Sequence, residues 1–374
     1  MAGKSGNWIR QSLVLFQFVT SIGILTGTLL IKDQLNFMQN KSLGYYKDQI
    51  LVINSLDSLA QTKFKVLKDV LKQKPLIQAV TSTSSLPGTS VGETVFKVEK
   101  DGQQQQKFKT LQGDQDYLKT FGMKVKMGRF YRSDDSQANG SFVVNETAAK
   151  LLGWENPIDK KMGYFHQEQH GSIIGVIEDF NFFSLHNPIE PLVITFNNEP
   201  NANMIVRFKP GDEEKMIADV KSVWEEVVPN FPFEYSFLNQ SLRDQYAADK
   251  NQNTLITAMS VLCIVISLIG LTGLSAFNLN QRQKEIGIRK VLGALTSQIM
   301  TIIFADTLKL VILAGVIATP ITYFVINGWM DNFAYQAPFN FVLLIIAVLV
   351  TIVLTFMIVS TNVIKTARKN PTET

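Results

Sequence analysis

Four long apolar runs, at 13–31, 255–277, 308–326 and 339–364, govern what this chain can fold into. Each approaches or exceeds the roughly 17–25 apolar residues that carry a helix across a bilayer. Between the first two runs, residues 32–250 hold acids and bases in near balance and read as a water-soluble domain. The chain as a whole is 46% hydrophobic and only 18% charged, less charge than a soluble domain carries. The expected fold class is an α+β membrane protein: four transmembrane helices with a large α/β extracytoplasmic domain between helices 1 and 2.

Charge predicts the orientation. Lys4 and Arg10 precede the first run, Arg282, Lys284, Arg289 and Lys290 follow the second, and Lys365, Arg368 and Lys369 follow the fourth. The stretch 327–338 has no Lys or Arg. Bases collect on the cytoplasmic side, so both termini and 281–295 are expected in the cytoplasm, with 32–250 and 327–338 outside. The first run is followed by KDQLNFMQ, which offers no small-residue cleavage site, so an uncleaved anchor is expected.

The soluble stretch has two similar ends. Strands at 49–54 and 77–82 flank a helix at 59–73, where Phe64, Leu67, Val70 and Leu71 share a face and Pro75 marks the stop. Strands at 204–208 and 233–237 flank a helix at 213–228. Between these ends lie strand signals at 94–100, 106–111, 141–144, 171–176 and 192–196. A short helix at 145–152 is capped by Asn145. Matched β-α-β ends around a β-rich middle, about 94–196, predict one subdomain inserted into another.

Catalytic and metal chemistry find no constellation. His166, Glu168 and His170 do not follow the HExxH order and sit between strands, as a polar hairpin does. Cys263, the single cysteine, falls within the second run, so the soluble domain relies on its own core. Gly3-Lys4-Ser5 imitates the end of a P-loop without the preceding glycine turn or strand. The bases form flanks rather than a stripe with aromatics, so no nucleic-acid partner is expected. Asp306 and Lys309 read as an interfacial pair, the lysine reaching back to the headgroups. Small residues mark helix-packing faces: Gly23 and Gly27 in the first run, Gly270 and Gly273 in the second, and Ala347, Thr351 and Thr355 in the fourth.

Residues 281–295, QRQKEIGIRKVLGAL, read as a short amphipathic helix. Ile288, Val291, Leu292 and Leu295 fall on one side; Arg282, Glu285, Ile286, Arg289 and Gly293 fall opposite. Glu285 and Arg289 are spaced to pair on one face. Gly287 and Gly293 let another backbone come close. A loop that merely holds topology needs the charge, but neither the stripe nor the glycines.

That segment, the LTGLSAF before it, FQFVTSIGIL in the first run, and NETAAKLLGWENPIDKKM and GVIEDFNFFSLHNPIEPLV in the soluble domain resemble the FtsX/MacB-like family of ABC transporter permeases. The resemblance covers essentially the whole chain, and looks like one membrane half-unit, closer to the C-terminal half of the duplicated permeases. It implies a first helix at 1–31, a MacB-like periplasmic core domain at 32–250, and an FtsX-like permease domain at 251–374 with a coupling helix at 281–295. The implied coupling residues are Arg282, Glu285, Gly287, Arg289, Lys290 and Gly293. The stripe Ile288, Val291 and Leu292 would seat that helix on the bilayer interface or the third span.

The resemblance further implies a permease that is not itself an enzyme and binds no cofactor, ATP and Mg belonging to a cytoplasmic ABC ATPase dimer. Expected partners are that ATPase, a second permease unit packed through Gly23 and Gly27, membrane lipid, and a periplasmic adaptor or cell-wall hydrolase. The implied location is the bacterial inner membrane. The implied work is mechanotransmission for export of peptide, drug or lipoprotein-like cargo; a sensor or a regulator of a wall hydrolase is the alternative.

Overall fold

The computed structural model describes residues 2–54, 58–89, 91–99, 103–135, 140–166, 171–197, 201–229, 231–245 and 247–367. Glu168, His170, Arg368 and Lys369 lie outside them. The chain divides into a helical unit, Met1–Asn40 with Ala248–Thr374, and an α/β unit, Lys41–Ala247.

Helix α1 (Ala2–Asn40) continues well beyond position 31, where the apolar run stops. Leu30, Ile31, Leu35 and Met38 are all buried, so one packed face carries the helix past Lys32 and Asp33. The α/β unit therefore begins at Lys41 rather than at 32.

The ends of the α/β unit build one sheet. They are β1 (Ile50–Ile53), α2 (Ser58–Leu71) and β2 (Ile77–Thr83) on one side. On the other side are β10 (Asn203–Phe208), α5 (Glu213–Val227) and β11 (Tyr235–Phe237). Their order is β11-β1-β10-β2, antiparallel throughout, so β10 enters between the two strands of the first β-α-β unit. This is the split β-α-β arrangement. The run ILVI does not alternate because β1 is buried on both faces. Leu51 and Ile53 pack with Phe64 and Leu67 of α2 and Val220 and Trp224 of α5, whereas Ile50 and Val52 join a different core.

The middle is a closed ring. It contains β3 (Gly92–Glu99), β4 (Gln103–Gly113), β6 (Ser141–Asn145), β7 (Lys161–Tyr164), β8 (Gly171–Ile177) and β9 (Leu192–Phe196). Pairing runs β4-β3-β7-β8-β6-β9, and β9 returns to β4 in parallel from Lys109↔Leu192 to Gly113↔Phe196. Closure leaves these strands no open edge. Strand β5 (Val125–Gly128) adds to β8 outside the ring. Helix α4 (Glu146–Leu152) starts at Asn145, whose buried side chain accepts from the Ala148 and Leu192 amides and donates to the Glu190 carbonyl.

One core joins ring and sheet. It takes Ile50, Val52 and Ile205 from the sheet, and Leu111, Val143, Ile194 and Phe196 from the ring. Tyr117 and Phe121 come from α3 (Tyr117–Phe121), and Leu238 and Leu242 from α6 (Leu238–Gln245).

The helical unit adds α7 (Ala247–Gln281), α8 (Gln283–Val291), α9 (Thr296–Met330) and α10 (Phe341–Ala367) to α1. Among the described residues, four stretches are long and apolar enough to cross a membrane: Gln11–Asn40, Asn251–Gln281, Thr296–Met330 and Phe341–Lys365. Helix α1 is the common neighbour. A β-carbon on Gly23 would stand 3.3 Å from Thr322 Oγ1, and one on Gly27 3.6 Å from Ile326 Cδ1, both on α9 of the same chain. Toward α7, the hydroxyls of Ser21 and Ser267 lie 2.8 Å apart, and those of Thr28 and Ser260 2.6 Å apart. Gln34 is 0% exposed and holds the α9–α10 connection with both amide atoms. Its Nε2 donates to the Tyr335 carbonyl at 2.8 Å, and its Oε1 accepts from the Ala337 amide at 2.7 Å.

Candidate functional site

The candidate site is α8 with the turns at its two ends. It starts after a break at Arg282, whose carbonyl accepts from the Ile286 amide at 2.9 Å. It stops at Gly293, which has φ +88°. The Ala294 amide reaches back to the Arg289 carbonyl at 2.9 Å, closing the left-handed cap that ends many helices. Gln298 then accepts from the Leu295 amide and starts α9.

Two contacts set how α8 lies. Ile286 packs against Leu279, Ile299, Ile303, Val359 and Val363. Arg282 Nη2 meets Asp306 Oδ2 on α9 at 3.1 Å, and Asp306 also faces Lys309 at 3.6 Å. Glu285 and Arg289 pair at 2.7 Å, both half-exposed. The apolar stripe points away: Ile288 is 63% and Leu292 80% exposed, and Leu295 is exposed too.

Of the two seats expected for the stripe, the bilayer interface and the third span, the second is overturned. The third span holds the side of α8 that carries Arg282 and Ile286, and the stripe Ile288, Leu292 and Leu295 is left uncovered by the chain. A nine-residue helix is placed by its strongest anchors, here one half-buried isoleucine and one ion pair, rather than by its average polarity. The side chains of Lys284, Lys290 and Val291 lie outside the described set.

The glycines also differ from one another. Gly287 faces open space, and so does Gly293. The Gly293 requirement is conformational, because an L side chain at that φ is strained. A β-carbon on Gly270 would stand 2.2 Å from Gln17 Oε1 of α1, whereas Gly273 faces open space. Gly23 and Gly27 are occupied by α9 of their own chain, so they are not free to be the packing positions for a second unit.

The Arg282–Asp306 pair and the Gln34 clamp were not anticipated. The sequence pattern places Arg282 opposite the apolar stripe and pairs Asp306 only with Lys309, its neighbour at i+3. No local periodicity links residues on different helices. Among the described residues, no group of three or more His, Cys, Asp or Glu is placed to hold a metal.

Two family models match the chain. Residues 18–223 match the MacB-like periplasmic core domain, and residues 257–371 match the FtsX-like permease C-terminal domain. The chain belongs to the MacB/FtsX-type ABC transporter permeases. Membership makes it a membrane protein with four candidate spans, and the match to the MacB-like periplasmic core domain takes in most of the α/β unit.

It is 22% identical over 250 residues to the uncharacterized ABC transporter permease YknZ of Bacillus subtilis, covering 61% of each. It is 20% identical over 341 residues to the macrolide export ATP-binding/permease protein MacB 2 of Aeromonas hydrophila, covering 82% of this chain and 50% of the relative. The chain therefore spans between half and two thirds of these relatives. Among solved structures it is similar to the periplasmic region of MacB from Actinobacillus actinomycetemcomitans, at 14% identity and a TM-score of 0.40, covering 56% of this chain and 97% of that one.

Proposed function

We propose that this permease relays the motion of a separate cytoplasmic ATPase dimer to its periplasmic core domain, and that α8 is the docking element. The carrying observation is the combination at α8. One side is fixed to α9 by Ile286 and Arg282–Asp306, while Ile288 and Leu292 stand uncovered beside the Glu285–Arg289 pair. A helix fixed behind and apolar in front passes a push on its free face into the spans. In this reading the chain carries no ATPase and no cofactor of its own, ATP and Mg being bound by the partner.

Both termini and α8 are cytoplasmic in this proposal, in the bacterial inner membrane, and the cargo is peptide, drug or lipoprotein-like. The name of the MacB 2 relative, which is called a macrolide exporter, supports the export class. An ATPase dimer offers two docking clefts and this chain one α8, so a second permease unit completes the assembly. With Gly23 and Gly27 occupied, that unit meets other faces. The stripe of Leu262, Ile266, Ile269 and Gly273 along α7 is open in the single chain.

The test is Leu292→Asp alongside Glu285→Lys, in native membranes. Neither residue is buried, so insertion and folding persist; Glu285→Lys costs the helix only a few tenths of a kcal/mol. Loss of a partly desolvated docking charge or apolar contact costs on the order of 1–3 kcal/mol, about tenfold to a hundredfold in affinity. Both variants are expected to insert normally and fail to hold or stimulate the ATPase, while Lys150→Glu on α4 has no effect. Wild-type ATPase association and transport in both would reduce α8 to a topological loop.

A further inference from the structure

After Asn40 ends α1, the α/β unit takes hold of the chain almost at once. The Leu43 carbonyl accepts from the Asn181 amide at 2.8 Å, and the Tyr46 amide donates to the Phe121 carbonyl at 2.8 Å. Gly44 between them has φ +84°, and a β-carbon there would stand 2.8 Å from Phe180 Cβ. Only glycine lets the backbone lie that close in that conformation. Tyr45 points inward and meets Phe121 and Phe180 edge-on, with ring centroids 6.3 Å from each. The Gln49 carbonyl then accepts from the Phe208 amide at 3.0 Å.

Tyr46 points outward and is 52% exposed, yet its ring is seated. A β-carbon on Gly122, at φ +68°, would fall 1.8 Å from its Cε2. From above, the Arg207 guanidinium lies 4.2 Å from the ring centroid and donates from Nη1 to the Lys119 carbonyl at 3.2 Å. The other chain crossing roots nearby: Asn239 of α6 donates to Asp48 at 3.3 Å, and Leu238 and Leu242 enter the same core that Leu43 and Tyr45 pack against.

We propose that residues 43–49 form a rigid buckle delivering displacement of α1 into the core that joins sheet and ring, with Tyr46 as its positioning residue, seated by Gly122 and Arg207. The inference rests on the relay reading above. A flexible linker of that length lets its ends wander over about 14 Å and absorbs a small displacement of the helix. A segment pinned by backbone bonds at Leu43, Tyr46 and Gln49 has no such slack. Tyr45 carries the load inward and Tyr46 keeps the segment from peeling outward.

The test uses the full chain in lipid nanodiscs with the ATPase that co-purifies with it. A fluorophore on Lys150→Cys, in a Cys263→Ser background, reports change in the α/β unit on adding ATP and vanadate. Hydrogen exchange follows the Tyr46 and Asn181 amides. In Tyr46→Ala these amides are expected to exchange about tenfold faster, and the nucleotide-dependent signal to fall severalfold, while ATPase binding and hydrolysis stay at wild-type level. Arg207→Ala gives a smaller change in the same direction, and Tyr46→Phe restores both readouts because the ring remains. A full nucleotide response in Tyr46→Ala, or unchanged exchange, overturns the buckle alone. Loss of hydrolysis together with the signal assigns Tyr46 to folding and overturns it too. A wild-type chain with no nucleotide response removes the relay reading and the buckle with it.

Discussion

Lys68 is 8% exposed, a costly place for an ammonium group unless it is paired. Asp114 meets it at 2.5 Å and Asp116 at 2.7 Å. Asp114 also accepts from the Thr81 hydroxyl and the Asp116 amide, and Asp116 takes Lys72 at 2.8 Å. Burial by itself pushes the Asp116 carboxyl up; hydrogen bonds and charge from Lys68 and Lys72 outweigh it and hold the group below the usual carboxylate range. Removing the lysine leaves the buried Asp114 without a cation and Asp116 with Lys72 alone. Lys68→Met should therefore destabilise the α/β unit by about 3–5 kcal/mol in urea melts. A loss under 1 kcal/mol would show that Lys72 and water replace it. Gly293 obeys backbone geometry instead. Leucine there forces the left-handed conformation at about 1–2 kcal/mol, whereas asparagine tolerates it. Gly293→Leu should fray the end of α8 and Gly293→Asn should not, as read from amide exchange at Ala294.

At the scale of elements, Gln34 decides how the α9–α10 connection is held. Gln34→Leu takes one partner from the half-buried Tyr335 carbonyl and one from the buried Ala337 amide, the latter worth about 1–3 kcal/mol when left unsatisfied. The expected result is faster proteolysis of 331–340 and a lower melting temperature in detergent; unchanged cleavage would mean that α9 and α10 hold the connection without it. The hydroxyl pairs of α1 with α7 are weaker, about 0.6 kcal/mol each, so Ser21→Ala alone should be nearly silent. These elements also divide what the sequence discloses from what it hides. The β-α-β ends were legible because the helical spacing of Phe64, Leu67 and Leu71 and the unbroken apolar run ILVI are both local signals. Strand β5 and the short β7 were not, because four residues such as VKMG form a strand only when β8 is there to pair with. At α8, the Glu285–Arg289 pair was legible from spacing. The inward turn of Ile286 was not, since Arg282 and Asp306 fix it from different helices. In α1 the small-residue spacing announced close packing without saying which helix fills it, and α9 does.

At the scale of the molecule, the α/β unit has its own cores and should melt cooperatively when residues 41–247 are expressed alone. Its acid stability follows from its carboxylates. Hydrogen bonding to Arg129 lowers Asp135, hydrogen bonding to Lys126 lowers Glu146, and Asp116 is lowered on balance. A carboxyl lowered in the folded state adds stability above its unfolded value, near 4, and loses it as pH falls through the folded one. The melting temperature should hold from neutral pH to about 5 and fall steadily below about 4; a midpoint flat down to pH 2 would contradict these pairings. The ring inserted between β2 and β10 has one more consequence, for the order in which the chain folds. Thr83 and Asn203 are neighbours in the sheet, and joining them across about 120 free residues costs about 4 kcal/mol of chain entropy. Every ring strand lies between them in sequence, so the ring can close on itself first. Once closed, it holds its own entry and exit side by side and makes that long closure short. The newly made β1, α2 and β2 then wait, apolar faces uncovered, until the ring has delivered β10.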